Sequence, residues 1–230
     1  ALLQQAKPEV KIWYTLPVLP TGLTADGLNV VESALKAGVN LAGVNVMAMD
    51  YGDEYVAMGA HALPVTTALL VRDTAEVFDQ HVIDSEVVSE QARSVLEDMP
   101  TAAFKVGFLG SAEGVSAVAE VLSDYPDLPV VTHLGHLTWL DDEQQSSYLD
   151  ALRELVLPQT TVLVGNHQVL TEFLLPDWDG SRPASARELA VEANKLGAAH
   201  VLVTGIQLPN GFIDNVLAGP QGPITGEKFE

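Results

Sequence analysis

The chain has 230 residues, 47% of them apolar, with 31 Asp and Glu against 11 Lys and Arg, a formal charge of −20. That apolar mass can bury a sizeable core and excludes a disordered chain, while so acidic a surface is repelled by nucleic acid and anionic membranes. The absence of cysteine excludes disulfides, thiolate metal sites and cysteine nucleophiles, and fits the expectation of a cytoplasmic location.

In chain order, β-branched apolar runs predict strands at Val10–Leu16, Gly43–Met49, Leu63–Val71, Ala102–Leu109, Leu128–His133, Thr160–Val164 and Ala199–Thr204. Between them, apolar residues at three- and four-residue spacing predict helices at Thr24–Ala37, Ser85–Asp98, Glu113–Asp124, Asp141–Leu155 and Ala184–Leu196. Thr24 and Ser85 read as N-caps, and Gly38 and Gly197 sit where helices should stop. Phe212–Leu217 follows a Pro-Asn-Gly turn signal and predicts a closing antiparallel hairpin, after which Pro220, Gly222, Pro223 and Gly226 are expected to break regular structure. The chain stops at Glu230 with no further helix pattern, so one face of the last strands is expected to be uncovered. The longest apolar runs, such as Ala62 to Val71, fall far short of the roughly 20 residues that span a bilayer. Residues 1–11 lack the pattern of a secretory leader. Strand–helix alternation of this kind implies an α/β fold, a mostly parallel sheet with helices on both faces.

Two segments carry resemblances. Gly59-Ala-His-Ala-Leu-Pro-Val-Thr-Thr-Ala68, Arg72-Asp73-Thr74, Leu96-Glu-Asp-Met-Pro100, Phe104-Lys-Val-Gly-Phe-Leu-Gly110, Leu152-Arg-Glu-Leu155 with Leu157-Pro-Gln-Thr-Thr161, and Leu202-Val-Thr-Gly205 follow one another in order and spacing. From about residue 58 to the end the chain thus resembles the hydroxymethylpyrimidine (phosphomethylpyrimidine) kinases, which implies a three-layer ribokinase-like fold. Thr15-Leu-Pro-Val-Leu-Pro-Thr-Gly-Leu-Thr-Ala-Asp-Gly27 and Val44-Asn-Val-Met-Ala-Met-Asp-Tyr-Gly52 resemble instead a βαβ piece of family 18 chitinase barrels. The switch falls between Tyr51 and Gly59, which points to a chimera made by recombination or design. Because both parents are built from βαβ units, residues 1–57 are expected to extend the sheet of residues 58–230 into one α/β domain.

The kinase resemblance implies ATP-dependent phosphorylation of hydroxymethylpyrimidine for thiamine biosynthesis, with ATP and Mg²⁺ as cofactors and a homodimer as the assembly. Several family features are altered. The glycine-rich turn after the first strand is replaced by Asp50-Tyr51-Gly52-Asp53, and the chain ends before the Gly-x-Gly segment that supplies an anion hole and the catalytic residue, so no catalytic residue is assigned. Arg72 stands where the family has a pyrimidine-binding Gln, and Phe108 where a Met packs on the ring; these two are the candidate substrate-binding residues. Asn166, Thr204 and Gly205 match the nucleotide side and are the candidate cofactor-binding residues. His133 and Val169 replace an Asp and a Glu near the metal, removing hard oxygen ligands that Mg²⁺ favours. Each position also has a plainer reading: Arg72 as a strand-end charge, Phe108 as core packing, and Asn166 as the cap of a helix beginning near His167.

The pattern therefore predicts impaired or lost turnover. It leaves open a kinase, a non-catalytic α/β scaffold, and a module that binds a nucleotide or pyrimidine without turnover. A sugar-cleaving role is not expected, because no Asp-x-x-Asp-x-Asp-x-Glu strand is present. His133, His136 and His167, with Asp141 and Asp142, form a further cluster whose types suit Zn²⁺, though their spacing matches no established metal signature.

Overall fold

The computed structural model describes residues 7, 12–19, 22–23, 25–47, 62–73, 76–208 and 211–229. The chain divides into two compact units, residues 1–64 and 65–230.

In the first unit, β1 (Ile12–Leu19) pairs in parallel with β3 (Leu41–Met47) and antiparallel with the short β2 (Gly22–Leu23), and α1 (Ala25–Lys36) makes the crossover. Gly38 ends α1 as expected. With φ of 75°, it lets its own N–H reach Leu35 O at 3.0 Å and the Val39 N–H reach Ala34 O at 3.0 Å, a Schellman cap. The expected Thr24 cap, Asp50–Asp53 and the switch between Tyr51 and Gly59 lie outside the described residues.

The second unit is built on a six-stranded sheet in the order β11-β10-β9-β8-β7-β6. β6 (Phe104–Val106), β7 (Val130–Leu134), β8 (Val162–Asn166) and β9 (His200–Gln207) run parallel, and β10 (Ile213–Gly219) and β11 (Gly222–Phe229) close it antiparallel. In the middle of β8 and β9, Leu163, Val201 and Val203 are fully buried and the alternate residues partly buried, so both faces of the sheet are covered, as a parallel sheet requires. The helices doing this are α2 (Ser85–Asp98), α3 (Ala112–Ser123) and α4 (Asp142–Ala151), which pack side by side, and α5 (His167–Leu174) and α6 (Ala186–Lys195), which pack together against β8 to β11. This is the three-layer α/β arrangement anticipated from the sequence.

Several expectations are corrected. The first unit's strands form a sheet of their own, so among the described residues no strand of residues 1–57 extends the six-stranded sheet. The strand expected at Leu63–Val71 is shorter, β4 (Ala68–Arg72), and it also leaves the main sheet, pairing with an unforeseen β5 (Val77–Val82) in a separate hairpin. The residue capping α2 is Asp84, whose carboxylate accepts the Glu86 N–H at 2.9 Å, and Ser85 is the first helical residue. The helix expected at Asp141–Leu155 ends at Ala151 and widens into a π turn over Leu152–Val156, with Leu152, Val156 and Leu157 all buried. Pro220 lies in the turn after β10 as expected, but Gly222, Pro223 and Gly226 do not end regular structure and belong to β11, because an outer strand has no neighbour needing its N–H groups on one side.

Among the described residues the large buried cluster runs from Val106 to Ala218, between the second unit's layers. Its buried polar residues are Thr132 and Thr160, whose hydroxyls lie 2.8 Å apart. Thr160 donates to Val156 O at 2.9 Å, so the Thr132 hydroxyl must donate to Thr160. Gly197 closes α6 with φ of 104°, and its Cα is so near Pro158 that a Cβ would lie 2.5 Å from the Pro158 Cα.

Candidate functional site

Parallel strands point their C-terminal ends the same way, and it is there that α/β sheets collect ligand-facing groups. Asn166 ends β8 and is in register with Thr204 on β9. The Asn166 side chain caps α5, its Oδ1 accepting the Gln168 N–H at 2.9 Å, and this leaves the Nδ2 donors unspent. Thr204 donates its hydroxyl to Gly165 O at 3.2 Å, which ties β9 to β8 at the same level. Gly205 has φ of 71°, a conformation that favours glycine, and a Cβ there would sit 2.6 Å from Asn166 Nδ2, so any side chain would also push the amide aside. The three candidate cofactor-binding residues thus come together.

The two candidate substrate-binding residues do not join each other. Arg72 is exposed at the end of β4, its Nε donating to the neighbouring Asp73 O at 3.0 Å. Phe108, after β6, packs edge-on to Trp139 and tilted against Tyr148, both at 5.3 Å between ring centres. Its carbonyl accepts the Thr67 hydroxyl at 2.7 Å. Arg72 is five residues further along from Thr67, a span of roughly 16 Å in extended chain. The packing of Phe108 agrees with its plainer reading as part of the interior.

The histidines do not assemble. His167 Nε2 lies 2.7 Å from Ala184 O, an acceptor only, so that nitrogen carries the proton and is committed to the loop before α6. Among the described residues no group of three or more His, Asp or Glu is placed to hold a metal ion. Burial holds the His133 imidazole below its ordinary pKa, and the positive charge of Lys105 adds to this, so the ring is favoured in its neutral form. Val169, 8% exposed, is part of the core. The residues at these two positions therefore do not fit a Mg²⁺ ion held by protein carboxylates.

An open depression of about 660 Å³ lies beside Asn166 and Gly205, and Gln168, Trp178, Arg182 and Gln207 also line it. Its outer wall is the segment between α5 and α6, which sequence reasoning did not single out. There Trp178 Nε1 donates to Arg182 O at 2.8 Å, and the Arg182 guanidinium lies over the Trp178 ring at 4.9 Å. Arg182 also pairs with both Glu188 oxygens, at 2.9 and 2.5 Å, and holds that carboxyl well below the usual carboxylate range. Sequence reasoning also misses Asn215 on β10, whose Oδ1 accepts the Gly205 N–H at 3.0 Å. No local pattern marks it, since its partner is ten residues away across a strand pair.

Comparison with known proteins agrees with both resemblances. Endochitinase 11 of Metarhizium anisopliae is 64% identical over 45 residues, 20% of this chain and 9% of that protein. The hydroxymethylpyrimidine/phosphomethylpyrimidine kinase of Streptomyces coelicolor is 31% identical over 169 residues, 72% of this chain and 61% of that protein. This chain thus spans less than two thirds of either relative. Among solved structures, phosphomethylpyrimidine kinase from Clostridium difficile 630 superposes with a TM-score of 0.59 at 18% identity, covering 95% of this chain and 84% of that one. An ADP complex of Bacillus subtilis pyridoxal kinase gives 0.56 at 19% identity, covering 96% and 74%. A family model for phosphomethylpyrimidine kinase matches residues 54–226, from ahead of β4 into β11, and through that span the chain belongs to the phosphomethylpyrimidine kinase family.

Proposed function

We propose that this protein binds ATP at the C-terminal ends of β8 and β9 but transfers its phosphate to hydroxymethylpyrimidine slowly or not at all. The observation that carries the reading is the convergence of Asn166, Thr204 and Gly205, in which the unspent Asn166 amide donors lie beside the side-chain-free Gly205 on the wall of the open depression. The related pyridoxal kinase was solved with ADP, which supports a nucleotide as the ligand class. Against turnover stand the replaced carboxylates at His133 and Val169 and the exposed Arg72, whose guanidinium offers donors only to a base edge. Calorimetry with ATP, and a coupled ADP-release assay with hydroxymethylpyrimidine and Mg-ATP, test both halves. ATP binding without turnover above background is expected; clear turnover refutes the loss of activity, and no ATP binding refutes the nucleotide site.

The same reading carries a cytoplasmic location, testable by cell fractionation, and no nucleic-acid or membrane partner, in line with the charge of −20. Among the described residues no helix is long and apolar enough to cross a membrane. Self-association as a homodimer is supported by the β4–β5 hairpin, which leaves Leu69 52% and Phe78 63% exposed. Sedimentation showing only monomer at high concentration would count against it. We also propose that the chitinase-like and kinase-like segments have separate origins, the first contributing no residue to the nucleotide site. Deleting residues 1–57 should then leave ATP affinity unchanged, and loss of binding would sink this.

A further inference from the structure

We infer that Asn215 is a positioning residue for the nucleotide-facing turn: its side chain replaces a missing ladder bond and so fixes Gly205 beneath the Asn166 amide. The inference rests on the proposed nucleotide site and names the device that builds it. In the antiparallel pairing of β9 with β10, Asp214 faces Ile206 and Val216 faces Val203. One residue of β10, Asn215, therefore stands opposite two of β9, Thr204 and Gly205. That is a β-bulge, placed at the two β9 residues that the site uses.

A bulge strands a backbone N–H, and an unpaired one inside a sheet is costly. Here the orphan is that of Gly205, and the Asn215 Oδ1 accepts it at 3.0 Å in place of a backbone carbonyl. This bond holds the left-handed backbone at Gly205, φ 71°, against slipping back into regular pairing. Thr204 meanwhile anchors the other bulged residue to Gly165 O at 3.2 Å. With both ends of the bulge tied, the Gly205 Cα stays where a Cβ would fall 2.6 Å from Asn166 Nδ2, and the amide and the bulge line one depression together. Only an acceptor can do the work of Asn215. Alanine lacks one, and aspartate retains one of the same length.

The test uses the full chain with three variants: Asn215→Ala, Asn215→Asp and, as a control at the opposite end of β8, Thr160→Val. Two readouts are taken: exchange of the Gly205 amide by NMR without nucleotide, and ATP affinity by calorimetry. The expected result is a Gly205 amide protected in wild type and Asn215→Asp but exchanging at least about tenfold faster in Asn215→Ala. ATP affinity should fall about five- to tenfold in Asn215→Ala and stay at the wild-type level in Thr160→Val, although that variant is also destabilised. Asn215→Asp, tested at high salt to screen its added charge, should recover most of the affinity. Unchanged Gly205 protection in Asn215→Ala overturns the inference, and so does unchanged ATP affinity in that variant. Wild-type protein that binds no ATP overturns the nucleotide site itself, a failure the amide-exchange readout separates from failure of the hydrogen bond.

Discussion

Replacing Tyr148 by phenylalanine isolates one buried hydrogen bond. Tyr148 is 3% exposed on α4, and its hydroxyl accepts the N–H of Leu109, itself 4% exposed, at 3.1 Å. Phenylalanine keeps the ring, and with it the 5.3 Å contact to Phe108, so packing changes little while the Leu109 N–H is left in the core without an acceptor. Leaving such a donor unpaired costs about 1–3 kcal/mol. For a body of this size, about 2–4 °C is lost per kcal/mol, so a fall of several degrees in Tm is expected. Urea denaturation at neutral pH should show the same loss as a lower midpoint with an unchanged slope. A loss below about 0.5 kcal/mol would refute the reasoning, since it would mean that Leu109 finds another partner.

The same residue makes an alkaline prediction of definite sign. Burial pushes the Tyr148 phenol up to about 12, the Leu109 bond pulling slightly the other way. In the unfolded chain it titrates at about 10. Between these values the unfolded state releases a proton that the native state keeps, so native stability is lost as pH rises from about 10, at up to about 1.4 kcal/mol per pH unit. Tyr148→Phe lacks that loss, and its deficit relative to wild type should shrink as pH climbs. Parallel stability curves across this window would contradict the burial argument.

Gly205→Ala should cost about 1–2 kcal/mol for the left-handed backbone alone and should weaken ATP binding further by displacing Asn166, as paired denaturation and calorimetry would show. Thr160→Val leaves the Thr132 proton and Val156 O without their shared partner, so a loss of about 1–3 kcal/mol is expected in urea. The lowered pKa of His133 means that the unfolded chain takes up a proton first as pH falls through about 6.5, so stability drops on acidification. His133→Gln should flatten that part of a Tm-against-pH profile. Residues 65–230 made alone should unfold in one cooperative transition by calorimetry, because the buried core cluster lies within them.

How much of this was legible in the sequence depended on whether the determinant was local. The 3.6-residue spacing of Val88, Ala92 and Val95 located α2, and Gly38 and Gly197 marked helix ends whose bonds are confined to a few residues. That the central strands run parallel followed from the alternation of strands and helices, while their order in the sheet came only from the structure. What stayed hidden was decided by partners distant in sequence. Val77–Val82 carries Asp, Gln and His among its apolar residues because the hairpin it forms is half exposed, so it shows no buried-strand pattern. Arg72 was readable as a strand end, but not as the end of a strand that leaves the main sheet. Asn166 was readable both as a cap and as a ligand, and the geometry shows why these do not compete: its oxygen makes the cap and its nitrogen remains available. Asn215 and the bulge it supports could not be inferred, because a register shift exists only between two strands.

The distribution of changes across the site has a structural logic. Asn166, Thr204 and Gly205 sit on β8 and β9, whose central residues are buried on one face and partly buried on the other; Thr204 and Asn215 tie neighbouring strands there, and Asn166 caps α5. A substitution there disturbs the core as well as the ligand position, so folding alone tends to preserve it. Arg72 and His133 stand on separate pieces, the first on an exposed hairpin and the second near the end of β7, partly open to solvent and partly screened by its neighbours. Side chains of that kind change with little effect on folding, usually within about 0.5 kcal/mol. The bulge at Gly205 is therefore held by contacts that stability requires whether or not a ligand ever binds there, a constraint that Arg72 and His133 escape.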